Sequence, residues 1–141
     1  MWTITSSWSQ AGTLSGNPLA VAAGLTTLGI LKEQNPYPEL GQKTAWLSAE
    51  FKAAAESAGV PLQTQAMGSM FGFFFSAEPV QNYQQALKTD TEQFTNFFRS
   101  MLKQGIYLAP SAFESLFVST AHSEEDLERT ASAFPKALRG E

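Results

Sequence analysis

The strongest constraint on the fold is a hairpin signal near the middle of the chain. Val60, Leu62 and Thr64 alternate with Pro61, Gln63 and Gln65, and Met70–Phe75 is a short apolar run. Alternation with period two sends neighbouring side chains to opposite faces of a strand, and a short apolar run between turn residues is the other form that a strand takes. Ala66-Met67-Gly68-Ser69 lies between them and predicts the closing turn. Strands over 60–65 and 70–75 therefore pair antiparallel. Gly72 inside the second strand predicts a bulge or a close backbone approach.

Helical patterns surround this hairpin. Asn17 is a capping residue and Pro18 suits a first helical position, so a helix is predicted over 18–33, with Leu19, Ala22, Ala23, Leu28 and Leu31 on its apolar side. Gly24 and Gly29 lower its propensity by about 1 kcal/mol each and point to close helix packing. Gln34–Pro38 breaks the pattern. A second helix is predicted over 38–58, where Leu40, Thr44, Leu47, Phe51, Ala54 and Ala58 form one stripe and Gly59 supplies the stop. Residues 76–88 read as a surface loop. Thr89 and Glu92 form a capping-box pattern that opens a helix to about Gln104, with Phe94, Phe97, Phe98, Met101 and Leu102 inward and Gly105 as its end. Ile106–Leu108 and Leu116–Ser119 read as short strands. Ser123 and Asp126 form a second capping box, and the last helix runs to about Leu138, with Leu127, Ala131, Phe134 and Leu138 inward. Pro135 is expected to kink that helix or end its regular part.

The predicted class is α+β, with two layers: a small, mainly antiparallel sheet and helices on one face. Residues 1–9 read as a polar lead-in without the basic region and apolar core of a signal peptide, and 10–141 as a single domain.

Composition removes several functions. The formal charge is −4 and the basic residues are scattered, whereas nucleic acid or an anionic membrane surface requires concentrated positive charge. There is no cysteine and a single histidine, which excludes disulfides and thiolate metal sites and leaves no expected metal centre. No segment reaches the ~20 apolar residues of a membrane span. A soluble, cytoplasmic domain is the expectation.

Candidate chemistry is sparse. Gly12-Thr13 and Ser15-Gly16 stand just before a helix, where free N–H groups and hydroxyls can hold a phosphate, although most such turns only cap a helix and this one lacks the lysine and spacing of a P-loop. His122 stands among Glu124, Glu125 and Asp126, and histidine is a residue type that serves as a base near neutral pH, but residues of this kind commonly begin helices on the surface. Ser111, Ser115 and Ser119 surround Glu114 without forming a recognisable nucleophile–base pattern. A catalytic pair of His122 and Glu114 requires them within about 3 Å in a cleft. The phenylalanines at 71–75 and 94–98 read as core, since a stacking platform for single strands needs basic neighbours.

Three stretches carry a likeness: QAGTLSGNPLAVAAG at 10–24, MGSMFGFFF at 67–75, and the run from Thr89 to Thr130 that contains APSAFES. They resemble the glutamate-1-semialdehyde 2,1-aminomutase family, within the class III branch of pyridoxal-phosphate aminotransferases. The likeness runs from Gln10 to the end and corresponds to the family's C-terminal third. It implies a small domain like that of the pyridoxal-phosphate transferases. It also implies conversion of glutamate-1-semialdehyde to 5-aminolevulinate in tetrapyrrole (porphyrin) biosynthesis.

By the same resemblance, Gly12 and Thr13 contact the cofactor phosphate across a dimer interface, with Ser15 as a weaker contributor; Gly16 and Asn17 belong to the same loop. Ser111 and Glu114 of the APSAFE segment approach the substrate. The Schiff-base lysine of the family lies in a large domain upstream, and none of Lys32, Lys43, Lys52, Lys88, Lys103 and Lys136 takes its place. The expectation is a severed C-terminal part that performs no covalent catalysis and binds no pyridoxal phosphate by itself. Its expected partner is a second copy or the large domain. The alternative is a non-catalytic structural or interaction domain that forms a homo-oligomer.

Overall fold

The computed structural model describes residues 12–141. The expected lead-in over 1–9, with Trp2 and Trp8, lies outside the described residues. The chain divides into two compact units, 1–35 and 36–141.

In the first unit, helix α1 spans Pro18–Gln34. The Asn17 side chain accepts hydrogen bonds from the N–H groups of Leu19 (3.1 Å) and Ala20 (3.2 Å), and Pro18 occupies the first turn, as its sequence predicts. Asn35 ends it in the left-handed conformation, at φ 42°. No residue of α1 is buried, and Leu19, Val21, Leu25, Leu28 and Ile30 are exposed. Gly24 and Gly29, expected to admit a close neighbour, have open space where a Cβ would stand.

The second unit holds the sheet. Strand β1 (Gln63–Met67) pairs antiparallel with β2 (Met70–Phe74), and β2 with β3 (Leu116–Phe117), in the order β1-β2-β3. Gly68 makes the hairpin turn at φ +58°, in a region that favours glycine. Gly72 does not bulge: it sits in regular register opposite Gln65, with nothing within 4 Å of a would-be Cβ. The pleat divides β2 cleanly. Phe71 and Phe73 are buried beneath the helices, while Met70, Gly72 and Phe74 face the other way.

Helix α2 (Tyr37–Ser57) buries Thr44, Leu47, Ser48, Phe51 and Ala55 against the sheet and α5. The stripe passes through Ala55, and Ala58 is exposed beyond the helix end. Residues 76–88 are more ordered than a plain loop. Helical turn α3 (Tyr83–Ala86) is capped by Asn82, and Val80, Ala86 and Thr89 are buried. Helix α4 (Thr91–Lys103) begins at Asp90, one residue beyond the expected cap. The Asp90 carboxylate accepts the Gln93 N–H at 2.8 Å, while the Thr89 hydroxyl donates to the Ala86 carbonyl at 2.7 Å and is thereby committed to the preceding turn. Phe94, Phe97 and Met101 point inward and Leu102 is exposed. Gly59 and Gly105, at φ +67° and +80°, stop α2 and α4. In each case the next N–H bonds back into the last turn, Val60 to Ala55 and Ile106 to Met101, both at 2.9 Å. That commitment of Ile106 explains why 106–108 forms no strand.

Helix α5 (Glu124–Leu138) carries the expected Ser123/Asp126 capping box. It continues through Pro135, because buried Phe134 and Ala137 fix the turn on either side and their packing outweighs the ~3 kcal/mol that a proline costs inside a helix. Leu127 and Phe134 are buried as predicted, and Ala131 and Leu138 are half-buried. The core is a cluster of rings from every layer: Phe51 from α2, Phe71 and Phe73 from β2, Phe97 from α4 and Phe134 from α5. Phe73 meets Phe51, Phe97 and Phe134 edge-on at 5.5–6.0 Å. The result is the α+β arrangement of helices over one face of a small antiparallel sheet.

Candidate functional site

The Gly12–Gly16 turn belongs to the first unit. The Ser15 N–H donates to the Gly12 carbonyl at 2.9 Å and the Asn17 N–H to the Leu14 carbonyl at 3.1 Å. The donors at the start of α1 are already used: Leu19 and Ala20 bond the Asn17 side chain, Val21 bonds the Asn17 carbonyl, and Pro18 has no N–H. An anion at this turn therefore meets Thr13, Leu14 and Gly16, whose N–H groups have no partner among the described residues, and the hydroxyls of Thr13 and Ser15. The donors left for an anion are those of the turn residues rather than of the first helical turn. That donor set suits a phosphate oxygen cluster. A Cβ at position 12 would stand 3.0 Å from the Ser15 hydroxyl, so glycine keeps the turn tight there.

The Ser111–Glu114 segment belongs to the second unit. Buried Leu108, Ala112 and Val118 anchor it in the core. The Ser111 hydroxyl accepts the Phe113 N–H at 3.2 Å, and the Ser111 carbonyl accepts the Glu114 N–H at 3.1 Å. Just past β3 the Val118 N–H donates to the Ser69 carbonyl at 2.9 Å, which ties the end of that strand to the β1–β2 hairpin. The turn brings Ser111 and Glu114 together and holds Glu114 exposed on the rim of a cleft of about 350 Å³. The floor of that cleft is the outer sheet face, with Gln65, Gly72 and Phe74, and its wall is Phe113 with Ser115. Sequence reading assigned no role to Gln65 or Phe74. The signal was present in the alternation of the two strands, because the face opposite Phe71 and Phe73 has to be theirs.

His122 is not joined to Glu114. Its Nδ1 accepts the Ser119 N–H at 3.0 Å, its carbonyl receives the Lys43 ammonium at 3.3 Å, and it lines a separate cleft with Asp126. No hydrogen bond or ion pair links His122 to Glu114 among the described residues, and the base–acid pair that sequence analysis weighed does not form. At the start of α5 the Ser123 hydroxyl and N–H both donate to Asp126, at 2.7 and 2.9 Å. These bonds, with the nearby charges of His122 and Arg129 adding to them, hold the Asp126 carboxyl below its ordinary value of 3.8. That is the chemistry of a helix cap. Among the described residues no cluster of acids and histidine is arranged to hold a metal, and no helix is long and apolar enough to cross a membrane.

Residues 1–138 match the family Aminotransferase class-III. The glutamate-1-semialdehyde 2,1-aminomutase of Chlorobaculum tepidum is 55% identical over 129 residues, 92% of this chain and 30% of that protein. Those of Chlorobium luteolum and Geotalea daltonii are 52% and 51% identical over 130 residues, with the same coverage. The chain thus spans about 30% of the length of the curated relatives it matches. Among solved structures, an omega-transaminase from Sphaerobacter thermophilus superposes with a TM-score of 0.76 at 24% identity, covering 94% of this chain and 30% of its own. A glutamate-1-semialdehyde-aminomutase from Pseudomonas aeruginosa superposes with a TM-score of 0.65 at 20% identity, covering 74% of this chain and 23% of its own. At those identities the likeness establishes the shared fold.

Proposed function

The chain belongs to the class-III aminotransferase family, and from that premise we propose that it is the C-terminal small-domain part of a glutamate-1-semialdehyde 2,1-aminomutase. On this reading it contributes to the conversion of glutamate-1-semialdehyde to 5-aminolevulinate together with the remainder of that fold and is inactive by itself. The observation that carries the reading is the 55% identity over 129 residues with an aminomutase.

Gly12, Thr13 and Ser15 would hold the phosphate of pyridoxal 5'-phosphate across a dimer interface, through the N–H and hydroxyl donors of their turn. When bound, that cofactor supplies the electron sink for moving an amino group. Ser111 and Glu114 would face the substrate. The Glu114 carboxylate accepts hydrogen bonds from an amino or ammonium group, and the Ser111 hydroxyl braces the turn that presents it. The lysine that bears the cofactor comes from the large domain. The exposed apolar side chains of α1 support a partner there, either that domain or a second copy.

The test is to titrate the chain with pyridoxal 5'-phosphate, alone and mixed with the first two thirds of the Chlorobaculum tepidum relative. Absorbance, borohydride reduction with mass spectrometry, and 5-aminolevulinate formation are then measured. The expected result is turnover in the mixture only. A reduced adduct on a lysine of this chain overturns the assignment. A mixture that assembles without turnover favours a non-catalytic structural or interaction domain.

A further inference from the structure

Helices α2 and α5 each present a second stripe, away from their buried faces. On α2 it is Trp46, Glu50, Ala53 and Ser57, and on α5 it is Glu124, Glu128, Ala131 and Pro135; both run in steps of four, three and four residues, the spacing that keeps side chains on one helical face. The first halves of both helices line one cavity of about 470 Å³, and the second halves line another of about 470 Å³. The two helices therefore run side by side in the same direction, and the cavities form one groove along their seam. Trp46 and Glu128 line both cavities and mark the groove's midpoint. From Glu39 to Ser57 the groove is about 27 Å long, enough for several turns of a docked helix.

The lining is unusual in its charge. Glu39, Glu50, Glu124 and Glu128 stand along it, against one cation, Lys43. That lysine is already occupied, 2.7 Å from Glu39 and donating to the His122 carbonyl. Between the carboxylates the floor is small and apolar, with Ala53, Ala54 and Ala131, and Trp46 is 40% exposed. An exposed indole at the centre of a groove is the kind of group that anchors a partner, and it also attracts cations to its face. We infer that this groove is a docking surface for a basic amphipathic helix of another protein. Apolar side chains of that helix would lie on the alanines and Trp46, and Lys or Arg side chains would reach Glu50, Glu124 and Glu128, the three glutamates of the lining outside the Lys43–Glu39 pair. The surface lies wholly within the second unit, and the inference does not rest on the aminomutase reading.

The probe is an amphipathic peptide with leucines on one face and Lys and Arg on the other, compared with versions whose cations are all Gln or all Glu. Calorimetry with the whole chain is expected to show saturable binding of the cationic peptide, weakened about tenfold or more by the Gln version and abolished by the Glu version. Amide shifts in NMR spectra should map to 39–57 and 124–135. Glu128→Lys, a surface exchange, should weaken binding about tenfold, and Trp46→Ala, checked for folding by circular dichroism, should do so as well. Equal binding of the Gln peptide makes the groove a plain apolar site and overturns the inference. Shifts centred on α1 or the outer sheet face, indifference to Glu128→Lys, or absence of saturable binding overturn it too.

Discussion

Phe51 of α2 and Phe134 of α5 stack ring on ring, with centroids 4.0 Å apart and planes inclined by 28°. Both are fully buried, and Phe97 leans on Phe134 from α4 at 4.8 Å. Truncating either ring leaves a void where three helices and the sheet meet. Phe51→Ala and Phe134→Ala should each cost about 3–5 kcal/mol in urea unfolding. The double variant should lose about 1 kcal/mol less than the sum, because the two rings share one contact. Full additivity would show that the stack carries no energy of its own.

The Ser123–Asp126 box gives the start of α5 a defined response to acid. The Asp126 carboxyl is held below its ordinary 3.8 mainly by the Ser123 hydroxyl, then by the Ser123 N–H. A carboxyl depressed in the folded state stabilises the fold above its unfolded value, and that contribution fades as pH falls through the folded one. Carbon-detected titration should place the Asp126 midpoint below 3.8, with α5 amide protection falling over the same range. Ser123→Ala should raise the midpoint toward the ordinary value and cost about 1 kcal/mol at neutral pH through loss of the cap.

Two hairpin glycines should respond oppositely to alanine. Gly68 stands at φ +58°, so Gly68→Ala should destabilise by about 1–2 kcal/mol. Gly72 has ordinary strand geometry and open space, so Gly72→Ala should raise stability by about 0.5 kcal/mol while narrowing the cleft beside Glu114. Thermal unfolding of the pair separates conformational cost from the use of space.

If the Gly12–Gly16 turn holds a phosphate, Thr13→Val removes one hydroxyl donor to a charged group, a loss of about 1.5–3 kcal/mol. In the complemented assembly this should weaken pyridoxal 5'-phosphate binding by tenfold or more, with no change in the unfolding midpoint of the chain alone. Unchanged affinity would place the phosphate elsewhere.

The layered architecture was legible because its signals are local and mutually consistent. The alternation read over 60–65, although the strand itself runs over 63–67, the Gly68 turn, the glycine stops at 59 and 105 and the Ser123 cap each act within a few residues. Where reading failed, a neighbour decided. Thr89 has the better capping pattern, but its hydroxyl goes to Ala86, and the α4 cap falls to Asp90. Residues 76–88 look featureless until Gln63 and Gln65 are seen to hold them, through hydrogen bonds to the carbonyls of Ser76, Ala77 and Val80. Pro135 reads as a kink or an end of the regular helix, and the helix runs on to Leu138 with Phe134 and Ala137 buried beside it.

The site was legible only in part. The Ser111–Glu114 turn is short and closes on itself, so the motif and the geometry coincide. The cleft beside it depends on which face of β2 the helices leave open, and only the assembled sheet decides that. At the Gly12 turn the residues were legible but the state of the neighbouring helix donors was not. Asn17 caps the helix by taking the N–H groups of Leu19 and Ala20, so the unpaired donors nearest the helix start are those of the preceding turn.

The position of Phe134 late in the chain has a consequence for synthesis. Phe51, Phe71, Phe73 and Phe97 all leave the ribosome before Phe134, and until α5 emerges the side of this ring cluster that α5 covers stays open. Such a surface is prone to wrong association, and its closure is a contact between distant parts of the sequence, which slows folding. Production of this protein should therefore be sensitive to translation speed near the α5 codons and to chaperones that shield aromatic patches on nascent chains.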